Sequence, residues 1–558
     1  MKDKREIVIS SQKENRSISL DIAKDHINYR DVMADKYENE LKCREQYFRQ
    51  CHYKDKEDVY YGVEWTENEA GITLINTQGY EYLHKSLPIQ SKMRRCIVKD
   101  GVLKYYLHAD DSTKKEDGTS ARLDGTDGDV CVEIPEFFYK FEETVNVGGN
   151  RVIRLKIAEQ GIDGFNYSPK MYTGAYEATL NRDTNILASV CTTKFNIYDE
   201  EIKITSETEY SANADGYSLG KQTVVSKVGY TANATTYRGG NNNSFFDNIT
   251  DPANDDYWRN QLGLPVAKLS RNACRRYEDV GNGKLMYLYD THRALFILSM
   301  VEFPIKNIRA SIAEGGLGKG ATVYYAYSAY KQWQKDYTES IIPCGVTNSL
   351  GNHSGEVFIK LNNVPLSIEG KYPDADINTI GRGDLWVPCM SYRGIEHYYG
   401  HLYKTLGQVT ISVNYTGQTT SDDNKPIYNI DYYYQKNPFR IENIMNSSEW
   451  VGTFKFSTQI RNTVSYLFGA DGHILPIETI GTESYADEST YCECTEFNDV
   501  LDNVQIDVNG SILSNRLVGR NFMVGCFKSD DEELARVSNS TRLTYLCVKD
   551  NTDDHKNH

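Results

Sequence analysis

From Val59 onward the chain is divided into short runs of strand-forming residues, each ended within a few positions by Gly, Asp or Asn. "DVYYGVEW", "GITLIN", "RRCIVKDGVLKYYLH", "DVCVEIPEFFYKFEE" and "NRVIRLKIAE" open the series, and "GEVFIKL", "DLWVPCM", "GQVTISVNY", "YNIDYYYQ", "RNTVSYLF" and "RLTYLCV" continue it. Short alternating runs between turn formers favour strands over long helices. Within "VKDGVLKYY" the pair Asp100-Gly101 predicts a two-residue hairpin turn. The 42 tyrosines agree with this, because the ring suits strands and its polar tip suits contact surfaces.

Two helices are expected among the strands. One is "SRNACRRYEDV", capped by Ser270. The other is "DTHRALFILSMVEF", capped by Asp290, with Ala294, Leu295, Leu298, Met300 and Val301 as its buried face. Residues 1–58 differ in texture: they are rich in charge, and Ile22, Ile27, Val32, Tyr37, Leu41, Tyr47 and Phe48 recur at helical intervals. This segment is too polar to form a core alone and reads as an arm that docks on another chain or on the rest of this one. The expected class is α+β and β-rich. The helical arm spans 1–58, a small β domain 59–165, and a larger domain 166–548 with an insertion at 192–236; a polar tail covers 549–558.

A net charge of −16 argues against a general nucleic-acid binder, which needs a basic footprint. The N-terminus shows no signal-peptide pattern, and the longest apolar run, "ALFILSM", is far short of the roughly 20 residues that span a bilayer. A soluble protein made in a cytoplasm, without membrane insertion, is expected. Cys96, Cys131, Cys191, Cys274, Cys344, Cys389, Cys526 and Cys547 stand alone in apolar runs and read as buried free thiols. Cys492 and Cys494 share a strand face, but no second pair completes a zinc site.

The stretch "SYRGIEHYYGHLYKT", Ser391 to Thr405, places His397 and His401 four apart. A zinc-protease helix needs its Glu directly after the first His. Here Glu396 precedes it, Tyr398 takes the Glu position, and Gly394 and Gly400 favour a loop. "LDGTDGD", Leu123 to Asp129, has the look of a calcium loop without its remaining ligands or closing Glu. "EGGLGKGAT", Glu314 to Thr322, neither follows a buried strand nor opens an apolar helix, so it reads as a surface turn. No nucleophile elbow, Walker loop or dinucleotide fingerprint is present. No catalytic residue, cofactor or metal is predicted.

Several segments in order resemble a family of phage and prophage proteins of gut Bacteroidales with a C-type-lectin-like, formylglycine-generating-enzyme-like domain. Some members are targets of diversity-generating retroelements. The segments include "LHKSLPIQSKMRRCIV", "YSPKMYTGAYEATLNRDTNILASV", "WRNQLGLPVAKLSRNACRRY", "HRALFILSMVEF", "IIPCGVTNSLGNHSGEV", "SYRGIEHYYGHLYK" and "GADGHILPIE", and the set spans about Tyr60 to Val548. The resemblance implies a lectin-like domain with two helices and many short strands. "YRGIEHYYGHLYK" is similar to its central strand, with Tyr403 and Thr405 where the family has tryptophans, and with Tyr398, Tyr399 and Tyr403 as packing residues. The catalytic cysteine pair of the formylglycine enzymes is not recognisable, so that activity is not carried over. "KSDDEELARVSNS" is charged, unlike the variable surface of a retroelement target.

The resemblance implies a virion fibre protein, of tail or head, that binds host surface polysaccharide or protein as a homo-oligomer, trimer or dimer. Residues 1–58 would join it to other virion proteins. The expected ligand-facing residues are Tyr485, Tyr491, Arg520, Lys528, Asp530, Asp531, Glu533 and Arg536. The alternative is a structural decoration or tail-assembly protein without receptor binding; a polysaccharide-degrading enzyme would need two carboxylates suitably spaced in a cleft.

Overall fold

The computed structural model describes residues 29–50, 58–66, 72–204, 212–213, 216–217, 222–232, 236–241, 261–267, 271–304, 342–365, 382–398, 401–419, 426–440, 449–457, 464–468, 474–479, 492–493, 517–518, 523–524 and 539–550. Over these the expected β-rich α+β class holds, with several sheets and few helices. Among the described residues, no helix is long and apolar enough to cross a membrane.

Nine strands open the fold: β1 (Tyr61–Thr66), β2 (Ile72–Asn76), β3 (Arg94–Lys99), β4 (Val102–Tyr106), β5 (Asp129–Ile134), β6 (Phe137–Val145), β7 (Arg151–Ala158), β8 (Asn166–Ser168) and β9 (Met171–Gly174). One antiparallel sheet runs in the order β2-β1-β7-β6-β8. A second begins with the strands Lys284–Met286 and Leu543–Tyr545 and continues β9-β5-β3-β4. The Asp100-Gly101 turn joins β3 to β4 with both residues at positive φ, 54° and 69°, as the two-residue hairpin requires.

The second sheet separates two cores. Val130, Val132 and Ile134 of β5 point into the main core, whereas Cys131 points into a second core with Cys96, Val98, Tyr172, Cys274 and Tyr545. A strand covered on both faces has no solvent side to mark with polar residues, so "DVCVEI" is buried throughout. Because β3, β4 and β5 share this sheet with β9 and with Leu543–Tyr545, the expected domain boundary at 165/166 runs through a single sheet.

The helix Tyr289–Glu302 lies in the main core and is buried on nearly every side, its polar Thr291, His292, Ser299 and Glu302 included, so burial extends well beyond the expected face. Its N-cap is Leu288; Asp290, expected there, sits in the first turn. Ser270, expected to cap the shorter helix Arg271–Arg276, lies outside the described residues.

Residues 29–50 form a helix that packs on this same chain. Met33, Ala34 and Tyr37 enter the main core, and Tyr37 meets Phe439 edge to face at 5.9 Å. Arg30 pairs with Glu278 at 2.8 Å, and Asn437 donates to Glu38 at 2.8 Å. Val32 and Tyr47, expected on the apolar face, are exposed. The buried positions 33, 34 and 37 and half-buried Leu41 follow the 3.6-residue repeat, and Val32 and Tyr47 fall off it. The expected insertion begins with a hairpin, Thr193–Ile204 against Gln222–Ala232, whose second strand pairs in parallel with Gly355–Pro365. That strand pairs in turn with Arg382–Tyr392, so the hairpin belongs to a sheet.

Candidate binding groove and its clamp

A groove of about 920 Å³ opens on the surface where several separate pieces of chain meet. Its walls are Asp110, Asp111 and Thr113, the loop Ala121–Thr126, and the strand start from Cys191 to Ile197; Gly345, Val346, Asn348 and Ser349 contribute further lining, with Val228 and Tyr237. The lining mixes three carboxylates, the cations Arg122 and Lys194, hydroxyls, an amide and the ring of Phe195. Few precisely placed polar groups against apolar walls are the usual make-up of a ligand site.

Two of the three carboxylates are held by their own turns. Asp111 accepts from the Thr113 backbone and hydroxyl, and Asp124 accepts the Thr126 N–H at 3.0 Å. Burial raises the Asp111 pKa, but the Thr113 and Lys114 contacts outweigh it and leave the group below its ordinary value. Asp110 pairs with His353 at 2.6 Å. In the calcium-like loop, Asp127 accepts from Tyr105 at 2.7 Å and Asp129 binds Lys284 at 2.6 Å, so its carboxylates turn to different partners.

Cys191 shows no sign of an activated nucleophile. Burial pushes its thiol up to about 12, and the S–H donates to the Thr193 carbonyl at 3.2 Å. With Cys96, Cys131, Cys274, Cys344 and Cys389 it is a buried free thiol, as expected of these six.

The segment 342–350 is fixed from beneath by the histidine-rich stretch. Glu396 accepts the Gly345 N–H at 2.9 Å, the Thr347 N–H at 2.8 Å and the Thr347 hydroxyl at 2.9 Å. His401 Nε2 accepts the Ile342 N–H at 3.0 Å. Gly394, at φ 83°, offers its carbonyl to Arg95 Nε at 2.7 Å. Arg95 is fully buried on β3 and also donates to Ser112, Thr347 and Asn348.

Glu177, His397 and His401 form a buried trio whose donor atoms lie within 4.8 Å of one another. Its hydrogen bonds explain it without an ion. Because His401 Nε2 accepts a backbone N–H, its proton must sit on Nδ1, which donates to Glu177 at 2.5 Å. A metal on Nδ1 would force the proton onto Nε2, against the Ile342 N–H. The cation beside Glu177 is Lys404, at 2.8 Å and buried. Burial favours a protonated Glu177, but His401 and Lys404 outweigh it and hold the carboxyl well below its usual range. His397 is pushed far down, by burial first and by neighbouring His401, and its Nε2 has no hydrogen-bond partner.

Tyr398 is buried against Tyr392 at 5.3 Å, as expected of a packing residue. Tyr399 and Gly400 lie outside the described residues, as do Cys494, Cys526 and the segment Glu314 to Thr322. Tyr485, Tyr491, Arg520, Lys528, Asp530, Asp531, Glu533 and Arg536, the expected ligand-facing residues, lie outside them too. The groove residues were not anticipated as a site. Their signals were scattered: an acidic Gly-rich loop at 123–129, a strand start at 192 and a Gly/Asn turn at 345–351. Comparison of the chain with protein-family models, curated proteins and solved structures finds no match to any of them.

Proposed function

We propose that this protein acts by contact, binding a surface glycan in the groove between residues 110–126, 191–197 and 345–349. The observation that carries the reading is the lining: an aromatic face at Phe195, flanked by carboxylates, cations and hydroxyls that can bond sugar hydroxyls from several sides. The lowered Asp111 carboxyl and the raised Cys191 thiol suit binding better than acid catalysis or nucleophilic attack. The ordered resemblance to Bacteroidales phage fibre proteins supplies the setting, a virion fibre on a lectin-like scaffold meeting host capsule. A homo-oligomer, trimer or dimer, would add avidity to weak single sites.

The test is attachment of the purified full chain to encapsulated and capsule-stripped Bacteroidales cells, with Phe195→Ala as the groove variant. Binding that needs both the capsule and Phe195 supports the reading. Binding indifferent to either one overturns it, and no binding to either cell type favours the decoration or assembly role.

A further inference from the structure

An asparagine amide is symmetric in shape, so its direction must be read from its partners. At Asn348 those partners leave one solution. Arg95 Nη1, which can only donate, lies 2.8 Å from Asn348 Oδ1, and the Tyr176 hydroxyl lies 2.5 Å from the same oxygen. Oδ1 therefore faces inward and takes two donors. Nδ2 faces the other way, onto the Cys191 thiol, which keeps its proton and gives it to the Thr193 carbonyl.

Sulfur is a weak acceptor and can serve only one of the two amide N–H groups well. Among the described residues the second N–H has no recorded partner, and Asn348 lines the groove. The same groove carries apolar surface from Cys191, Val346, Val228 and Phe195, the last three packed in one cluster. Gly345, at φ 96°, keeps this corner open, because a Cβ there would collide with Cys191 and stand 2.9 Å from Asn348 Nδ2.

We infer that Asn348, locked by Arg95 and Tyr176, is the specificity-determining donor of the groove and selects sugars that carry an N-acyl group. The inference rests on the glycan reading of the groove and names its ligand class. An acyl carbonyl accepts the amide N–H while its methyl meets the apolar surface. A free amino sugar brings an ammonium, which would set donor against donor and lose the apolar contact. A carboxylate-bearing sugar would meet Asp110, Asp111 and Asp124 at the rim.

The experiment is an array of oligosaccharides in matched N-acetylated and de-N-acetylated pairs, probed with the full chain and with Asn348→Asp, Asn348→Ala and Phe195→Ala. Asp at 348 can still accept from Arg95 and Tyr176 but presents no N–H. Wild type should prefer the acetylated members by about tenfold or more, and both Asn348 variants should lose that preference, with the thermal transition retained in Asn348→Asp, whose carboxylate still accepts from Arg95 and Tyr176. If Phe195→Ala abolishes binding but the preference is absent, or survives in Asn348→Asp, the inference fails and the glycan reading stands. If wild type binds no member of the array, the glycan reading falls and the inference falls with it. Should Asn348→Ala unfold, Asn348→Asp alone decides.

Discussion

The Glu396 carboxylate accepts the Thr347 backbone N–H at 2.8 Å and its hydroxyl at 2.9 Å, across 49 residues of chain. With the Gly345 N–H at 2.9 Å it satisfies three buried donors of the segment that lines the groove. Replacing Glu396 by Ala should destabilise the fold by about 3–5 kcal/mol, because each stranded donor costs roughly 1–3 kcal/mol. Glu396→Gln should cost less than Ala, about 2–3 kcal/mol, since one oxygen still accepts while the amide NH2 is set against a buried donor, and the burial that raises the Glu396 pKa no longer opposes a charge. Denaturant unfolding of both variants measures the difference; equal losses would mean that the carboxylate is not the clamp.

Acid should loosen the protein in two stages. His397 titrates near 6.5 when free and lower when folded, so the unfolded chain takes the proton first. Its contribution to stability is complete above 6.5 and is lost as pH falls toward the folded pKa. Glu177, whose folded pKa also lies below its free value of 4.5, adds a further loss from that pH downward. Melting temperature measured from pH 8 to pH 4 should therefore decline below 6.5. In His397→Gln the first part of that decline should flatten and the second persist; identical profiles would remove His397 as the cause.

The N-terminal helix offers an internal contrast. Tyr37 is buried against Phe439, whereas Tyr47 is 61% exposed. Tyr37→Ala should cost about 3–4 kcal/mol through the lost aromatic burial. Tyr47→Ala should stay within about 0.5 kcal/mol of wild type. Urea titrations of the two variants test whether residues 29–50 belong to the fold in solution.

Thiol labelling should separate the described cysteines sharply. Cys43 is exposed, while Cys96, Cys131, Cys191, Cys274, Cys344 and Cys389 are buried. Alkylation of native protein at pH 8, read by peptide mass spectrometry, should modify Cys43 well before any of those six. Rapid labelling of Cys191 would contradict its raised thiol and reopen a nucleophilic role.

Much of the local structure was legible in the chain. The Asp100-Gly101 turn, the short strands around it and the helix near residues 290–303 all depend on neighbours within a few residues, and there the pattern of side chains is sufficient. The N-terminal helix was legible as a helix but not in its orientation, because Val32 and Tyr47 are apolar yet lie off the buried stripe. "SYRGIEHYYGHLYKT" forms no helix over its described residues; Ser391 and Tyr392, Ile395–Glu396 and Tyr403–Thr405 lie in strands, so the loop expected there is only the turns between them, and its purpose could not be read. Ile342, Gly345 and Thr347 lie some 50 to 60 residues from their partners His401 and Glu396.

The sequence by itself determined the class of structure: strand-length runs, turn chemistry and enough apolar matter for more than one core. Only the tertiary structure decided where those cores divide, which residues share the groove, and which proton His401 carries. The physical reason is range. Turn and strand preferences act through adjacent bonds, whereas a buried donor accepts whatever partner the fold brings within about 3 Å, however distant along the chain.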